Sequence, residues 1–137
     1  MDQNDIYREE ILEHYKHPRN FGVMKNPTFE SEAKNPLCGD SIRLQLKVNK
    51  KGIVEEVRFS GSGCALSIAS SSMFTEWMVG QSVKALKKIG PKQIQKLMSA
   101  EIGPARLPCM LLSHVALQKM FDGAVVKPKH SLYGKGY

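Results

Sequence analysis

The spacing of apolar residues changes character several times along the chain, and each change marks an element. Tyr7, Ile11 and Tyr15 recur at every fourth position, with Ile6 and Leu12 beside them, as on an amphipathic helix. Asn4 or Asp5 can cap that helix, and Pro18 ends it near His17, because the residue before proline avoids helical torsions. Arg19-Asn20-Phe21-Gly22 forms a turn, with Phe21 expected to anchor it to the core. Pro27 and Pro36 punctuate a polar stretch that leaves room for a short edge strand over 28–33. The period then shortens to two. Ile42, Leu44, Leu46 and Val48 alternate with Arg43, Gln45 and Lys47, which describes a strand with one wet face. Asn49-Lys50-Lys51-Gly52 turns the chain, and Ile53 to Phe59 returns as a second strand. Glu55 interrupts its inward face and marks a bulge or an exposed end. The sheet is therefore antiparallel, with one face left for helices to cover.

Helical spacing resumes at Cys64 and runs to Val79, rich in Ala and Ser early and in Met73, Phe74, Trp77 and Met78 late, until Gly80 stops it. Ala65, Ala69 and Ser72 are small enough for close backbone approach, and the serines of this run are expected to pack and to bond locally. Ser82 caps a short helix whose inward residues are Val83, Leu86 and Ile89; Gly90-Pro91 breaks it, and Ile94, Leu97 and Met98 mark another. Pro108 suits the first turn of a last helix, with Leu112, Val115, Ala116 and Met120 as its inner stripe. Asp122-Gly123 ends it. Residues 1–123 form one domain, and 124–137, which lack apolar periodicity, are expected to be a flexible basic tail.

Charge and composition change this picture in two ways. The chain has a net charge of +7, to which Lys84, Lys87, Lys88, Lys92 and Lys96 contribute in one helical region and Lys127, Lys129 and Lys135 in the tail. Such lysines make first a solvated face and second a surface for an acidic protein. They lack interleaved aromatics, and no helix-turn-helix, zinc-finger or RNA-binding motif is present, so no nucleic-acid partner is expected. No apolar run approaches the roughly 20 residues of a membrane span, and the charged N-terminus lacks the apolar region of an export signal. A cytoplasmic protein without a membrane partner is expected. Its three cysteines cannot all pair with one another, which fits a reducing compartment with free or metal-bound thiols.

Those cysteines are where the chemistry concentrates. Cys38 lies in Asn35-Pro36-Leu37-Cys38-Gly39-Asp40, a bent loop that sets a thiol and a carboxylate two positions apart. Cys64 follows Gly61-Ser62-Gly63, and Cys109 follows Pro104-Ala105-Arg106-Leu107-Pro108. Each follows a Gly- or Pro-rich loop, and Cys64 and Cys109 open helical runs, where the helix dipole favours thiolate over thiol. Three thiolates and Asp40 suit the four-coordinate shell of zinc, and thiolates also suit iron–sulfur chemistry. The spacing matches no zinc-finger or Cys-x-x-Cys pattern. A structural zinc domain would use the same ligands without moving sulfur. A Cys–His hydrolase would need His14, His17, His114 or His130 beside a cysteine, and none follows a nucleophile motif.

Three stretches together resemble the U-type iron–sulfur assembly proteins, the NifU-like family. They are Tyr7-x3-Ile11-x2-His14-Tyr15-x2-Pro18-Arg19-Asn20-x-Gly22, Asn35-Pro36-x-Cys38-Gly39-Asp40, and Gly63-Cys64-Ala65-x-Ser67-x-Ala69-Ser70-Ser71-Ser72. The resemblance implies an α+β domain in which a three-stranded antiparallel sheet is backed by about five helices. It implies sulfur received from a cysteine desulfurase and either built into a [2Fe–2S] cluster or passed on to downstream assembly or acceptor proteins. Cys38, Asp40, Cys64 and Cys109 match the family's metal and cluster ligands, for Zn2+ or a [2Fe–2S] cluster at the same site.

Two branches of the family stay open. The Isc-type scaffold has His before its third cysteine and Leu-Pro-Pro-Val-Lys upstream, where this chain has Pro108 and Glu101-Ile102-Gly103-Pro104-Ala105-Arg106. Pro104-Ala105-Arg106 ahead of Cys109 looks like the zinc-binding Suf-type sulfur acceptor, yet the long Suf-type insertion between the second and third cysteines is absent. The Suf-like reading points to Cys38 as first sulfur acceptor with Arg106 in support; the Isc-like spacing points to Cys109.

Overall fold

The computed structural model describes residues 3–36, 39–98, 103–104 and 106–122. The chain order is α1 (Gln3–Lys16), β1 (Phe29–Asn35), β2 (Asp40–Val48), β3 (Val54–Ser62), α2 (Ala65–Met78), α3 (Val83–Lys88), α4 (Pro91–Met98), α5 (Leu107–Met110) and α6 (Leu112–Phe121). The fold is α+β, with six helices described where about five were expected. The tail over 124–137 lies outside the described residues.

The strands pair in the order β1-β2-β3, both pairs antiparallel. β1 meets β2 from Phe29↔Leu46 to Asn35↔Asp40, so the strand expected over 28–33 runs further and ends opposite the candidate site. β2 meets β3 from Ser41↔Ser62 to Lys47↔Glu56 and then resumes at Val48↔Val54, leaving Glu55 as the extra residue of a bulge. The intervening turn is held by the Asn49 side chain, whose Oδ1 accepts from the N–H groups of Lys51 (2.9 Å) and Ile53 (3.1 Å). Gly61 faces Ile42 with φ near +131°, and a Cβ there would lie 2.0 Å from the Ser41 carbonyl oxygen. Only glycine lets the strands come this close.

Alternation delivers Ile42, Leu44, Leu46, Val57 and Phe59 to one side of the sheet, where α2 and α6 cover them with Phe74, Met78, Leu112, Ala116 and Leu117. The opposite face is wet at Arg43 and Lys47 but not at Gln45, which is buried. Its amide accepts from the Met24 N–H and donates to the Met24 carbonyl and to Glu30, so the 20–28 loop folds over that face. Phe21 packs edge-on against Phe59, with ring centroids 5.2 Å apart, and backbone bonds from Asn20 and Gly22 to Phe59 fasten the loop to β3. The anchor holds, although the Phe21 ring stays half exposed.

α2 is the hub: it touches α1, β3, α4, α5 and α6 and is buried nearly all round. The hydroxyls of Ser70, Ser71 and Thr75 serve packing and local bonding, as expected of this run. Ser70 donates to the Met110 carbonyl (2.8 Å), Ser71 to the Ser67 carbonyl (2.8 Å) and Thr75 to the Ser72 carbonyl (3.0 Å). Two expected stripes need correction. On α1, Tyr15 is exposed while His14 is buried, because His14 Nδ1 bonds to Ser72 Oγ at 2.7 Å and turns that face toward α2. On α6, Val115 is exposed and His114 and Leu117 are buried, with His114 Nε2 bonded to the Ile89 carbonyl at 3.1 Å. The last helix is also broken: at Leu111 φ is −95° and ψ is 5°, which separates α5 from α6.

Candidate metal centre

The site forms where three separate stretches begin or turn. Gly39, at φ +75°, takes a conformation that favours glycine, and its N–H donates to the Asn35 carbonyl at 2.8 Å. That tight return from β1 makes Asp40 the first residue of β2 and buries its carboxylate, leaving the residue 4% exposed. Cys64 is the N-cap of α2, with φ −73° and ψ 171°. Cys109 lies inside α5, its N–H bonded to the Arg106 carbonyl at 3.1 Å.

Asp40, Cys64 and Cys109 each offer one ligand atom, and those atoms all lie within 4.8 Å of one another. A tetrahedral zinc shell with Zn–S near 2.3 Å requires separations of about 3.8 Å between sulfurs. A small inward shift would close the group around one cation, and two soft sulfurs with one hard oxygen are a donor set that zinc accepts. Fit is therefore good on both distance and chemistry. Cys38 lies outside the described residues.

Cys109 corrects one expectation. It does not open a helix but sits within a four-residue one, buried and packed into the core cluster, so no dipole argument applies to it. Cys64 keeps the expected advantage. Burial pushes its thiol up, but hydrogen bonds from the N–H groups of Ser67 and Leu66 and from Cys109, with the Ser67 hydroxyl beside it, outweigh that and lower it from its ordinary value. Arg106 is exposed, and its carbonyl accepts from both Cys109 and Met110, so its backbone holds the Cys109 turn whatever its side chain does. Among the described histidines, His14 is engaged by Ser72 and His114 by Ile89, while His17 is exposed. None belongs to the ligand group.

Ser67 is the site residue that spacing did not single out. Its hydroxyl donates to Asp40 Oδ2 at 2.5 Å and lies 3.5 Å from Cys64 Sγ. Gly63 makes this closeness feasible, since a Cβ there would stand 2.9 Å from Ser67 Oγ and 3.0 Å from Asp40 Cγ. The available signal was position: Ser67 falls one helical turn after Cys64, on the face its thiol shares.

No helix among the described residues is long and apolar enough to cross a membrane. Comparison with known proteins bears directly on the site. The iron–sulfur cluster assembly scaffold protein IscU of Escherichia coli K12 is 36% identical over 120 residues, covering 82% of this chain and 88% of its own. The zinc-dependent sulfurtransferase SufU of Bacillus subtilis 168 is 37% identical over 131 residues, covering 83% and 88%. In fold, the N-terminal part of a nitrogen-fixing NifU-like protein from Brucella abortus superposes with a TM-score of 0.70 at 24% identity, covering 87% of this chain and 94% of that one. The family model of the NifU-like N-terminal domain matches residues 6–127. Because that match takes in Asp40, Cys64 and Cys109 with the whole sheet beneath them, the chain belongs to the family of NifU-like N-terminal domains.

Proposed function

We propose that this chain accepts sulfur from a cysteine desulfurase and serves as scaffold or sulfur carrier in iron–sulfur cluster assembly. The convergence of Asp40, Cys64 and Cys109 within 4.8 Å carries the reading. Together with Cys38 they would hold zinc, whose positive charge keeps bound thiols ionised. Iron and sulfide, where a [2Fe–2S] cluster is built on the same residues, are cargo. Sulfur transfer needs no outside oxidant. An acceptor thiolate bonds to the terminal sulfur of the donor's persulfide, the donor's S–S bond breaks, and its electron pair leaves with the donor thiolate.

Cys38 is the proposed first acceptor. The burial of Cys109 inside α5 and the place of Cys64 at the head of α2 both support this, since moving either thiol disturbs packed structure. An exposed Arg106 would support it by drawing the anionic persulfide toward the site. Lys84, Lys87, Lys88, Lys92 and Lys96 are all exposed, and residues 77–100 contain no Asp or Glu, which favours an acidic docking surface on the desulfurase. A zinc-dependent relay that passes persulfide on without building the cluster is the second reading. It is favoured by Pro104-Ala105-Arg106 ahead of Cys109 and by Pro108 where the Isc-type scaffold has His.

Metal analysis of protein purified under reducing conditions, followed by desulfurase, cysteine and peptide mass mapping, tests the proposal. Bound zinc that Cys64→Ser fails to retain, and a persulfide on Cys38, are expected. Protein without metal and indistinguishable from Cys64→Ser would sink the metal reading. Sulfur arriving on Cys109 of Cys38→Ser at the wild-type rate would reassign the acceptor. Reconstitution with iron and sulfide separates scaffold from relay, because only the scaffold develops and transfers a cluster.

A further inference from the structure

We propose that Ser67 is a positioning residue of the metal centre: its hydroxyl donates to one oxygen of Asp40 and so fixes the direction in which that carboxylate meets the cation. The inference rests on the metal reading above and adds a residue to it. Its hydroxyl is fully buried and has two acceptors within reach, Asp40 Oδ2 at 2.5 Å and Cys64 Sγ at 3.5 Å. A hydroxyl has a single proton to give, so it serves one acceptor at a time.

Ser67 departs from the ordinary behaviour of a helical serine. Such residues commonly donate back to the carbonyl one turn earlier, as Ser71 does to Ser67 in this same helix. Ser67 instead gives its proton to a carboxylate 27 positions away in the chain. The helix fixes where the hydroxyl stands, and the bare Cα of Gly63 lets Asp40 and Ser67 approach. Substituting Gly63 would wedge them apart.

The consequence for the ligand is physical. A short, charge-assisted hydrogen bond from a buried hydroxyl holds the carboxylate in one orientation, so Asp40 meets a cation from a fixed direction. Partners of this kind orient ligands, and their loss typically lowers metal affinity about 10- to 100-fold.

The test uses the full chain with zinc or cobalt(II) alone as probe. Zinc affinity is measured by competition with a chromophoric chelator, and ligand geometry by the absorption bands of the cobalt(II) form. Ser67→Ala should bind zinc about 10- to 100-fold more weakly and shift the cobalt bands. Ser71→Ala, which removes an equally buried hydroxyl from the same helix, should do neither. In an Asp40→Ala background, Ser67→Ala should cost less than about threefold, because its partner is already gone. Wild-type affinity and cobalt bands in Ser67→Ala would overturn the inference, and so would an undiminished loss in the Asp40→Ala background. If wild-type protein took up neither ion, the metal reading itself would fall, and the Ser67 role with it.

Discussion

Ser113 sits fully buried in α6, and its hydroxyl has no hydrogen-bond partner among the described residues. An unmet buried hydroxyl costs about 1–3 kcal/mol, so Ser113→Ala should leave stability unchanged or raise it by about 1 kcal/mol. Urea denaturation reads this directly; a loss above about 1 kcal/mol would show that the hydroxyl is paired after all. Gly61 is the opposite case. With φ near +131° and the Ser41 carbonyl 2.0 Å from any added Cβ, Gly61→Ala must push β2 and β3 apart. A cost of about 3 kcal/mol or more is expected in the same measurement. At this scale the sequence revealed chemistry better than contacts. Asp40, Cys64 and Cys109 stood out because thiols and carboxylates near bent loops are uncommon and reactive. Ser67 and Gln45 did not, because what distinguishes each is a partner far along the chain, and residue type says nothing about which partner folding will supply.

Elements with one dry face were the legible ones. Strict alternation over Ile42–Val48 and the Asn49–Gly52 turn revealed the hairpin, and of the two readings of Glu55, bulge or exposed end, the pairing shows the bulge. Helices were legible in extent but less so in rotation, since a single buried polar bond can decide which side faces in. On α1 that bond is His14 to Ser72, and the Arg19 N–H also donates to Ser72 Oγ at 2.8 Å. Burial first, and then the Arg19 charge, lower the His14 pKa from 6.5, against the opposing pull of Glu76, Glu10 and Glu13. The sign follows from linkage. As pH falls below 6.5 the unfolded chain takes up this proton before the folded one does, so stability is present above 6.5 and declines as pH drops toward the lowered folded value. Thermal unfolding across that window should show this decline in wild type and a weaker one in His14→Gln. Equal slopes would remove His14 from the account. The break at Leu111 had no signal of its own, because Leu107–Phe121 reads as one apolar helical run.

Seen whole, the site ties together the starts of β2 and α2 with α5, which are far apart in the chain. Metal should therefore slow local opening at these three places before it affects the sheet centre. Hydrogen exchange before and after chelation checks this, with faster exchange expected near Asp40, Cys64 and Cys109 and little change at Leu44 and Phe59. A uniform change across the sheet would mean the metal supports the fold globally. The sheet itself has a different lesson. A small three-stranded sheet has two margins at which another strand could add, and the chain occupies the one at β3. β3 bonds at Phe59 to Asn20 and Gly22, and at Val54 to Gly80 and Gln81. β1 lies against α6, where Ser31 donates to the Ala116 carbonyl and Lys119 to the Glu32 carbonyl. With the β3 margin taken, only the β1 margin could template edge-to-edge aggregation or strand addition, and there the Lys119 side chain caps the Glu32 carbonyl. A partner that reaches the ligand group would therefore approach away from the β3 margin, where the start of β2 meets the start of α2 and α5.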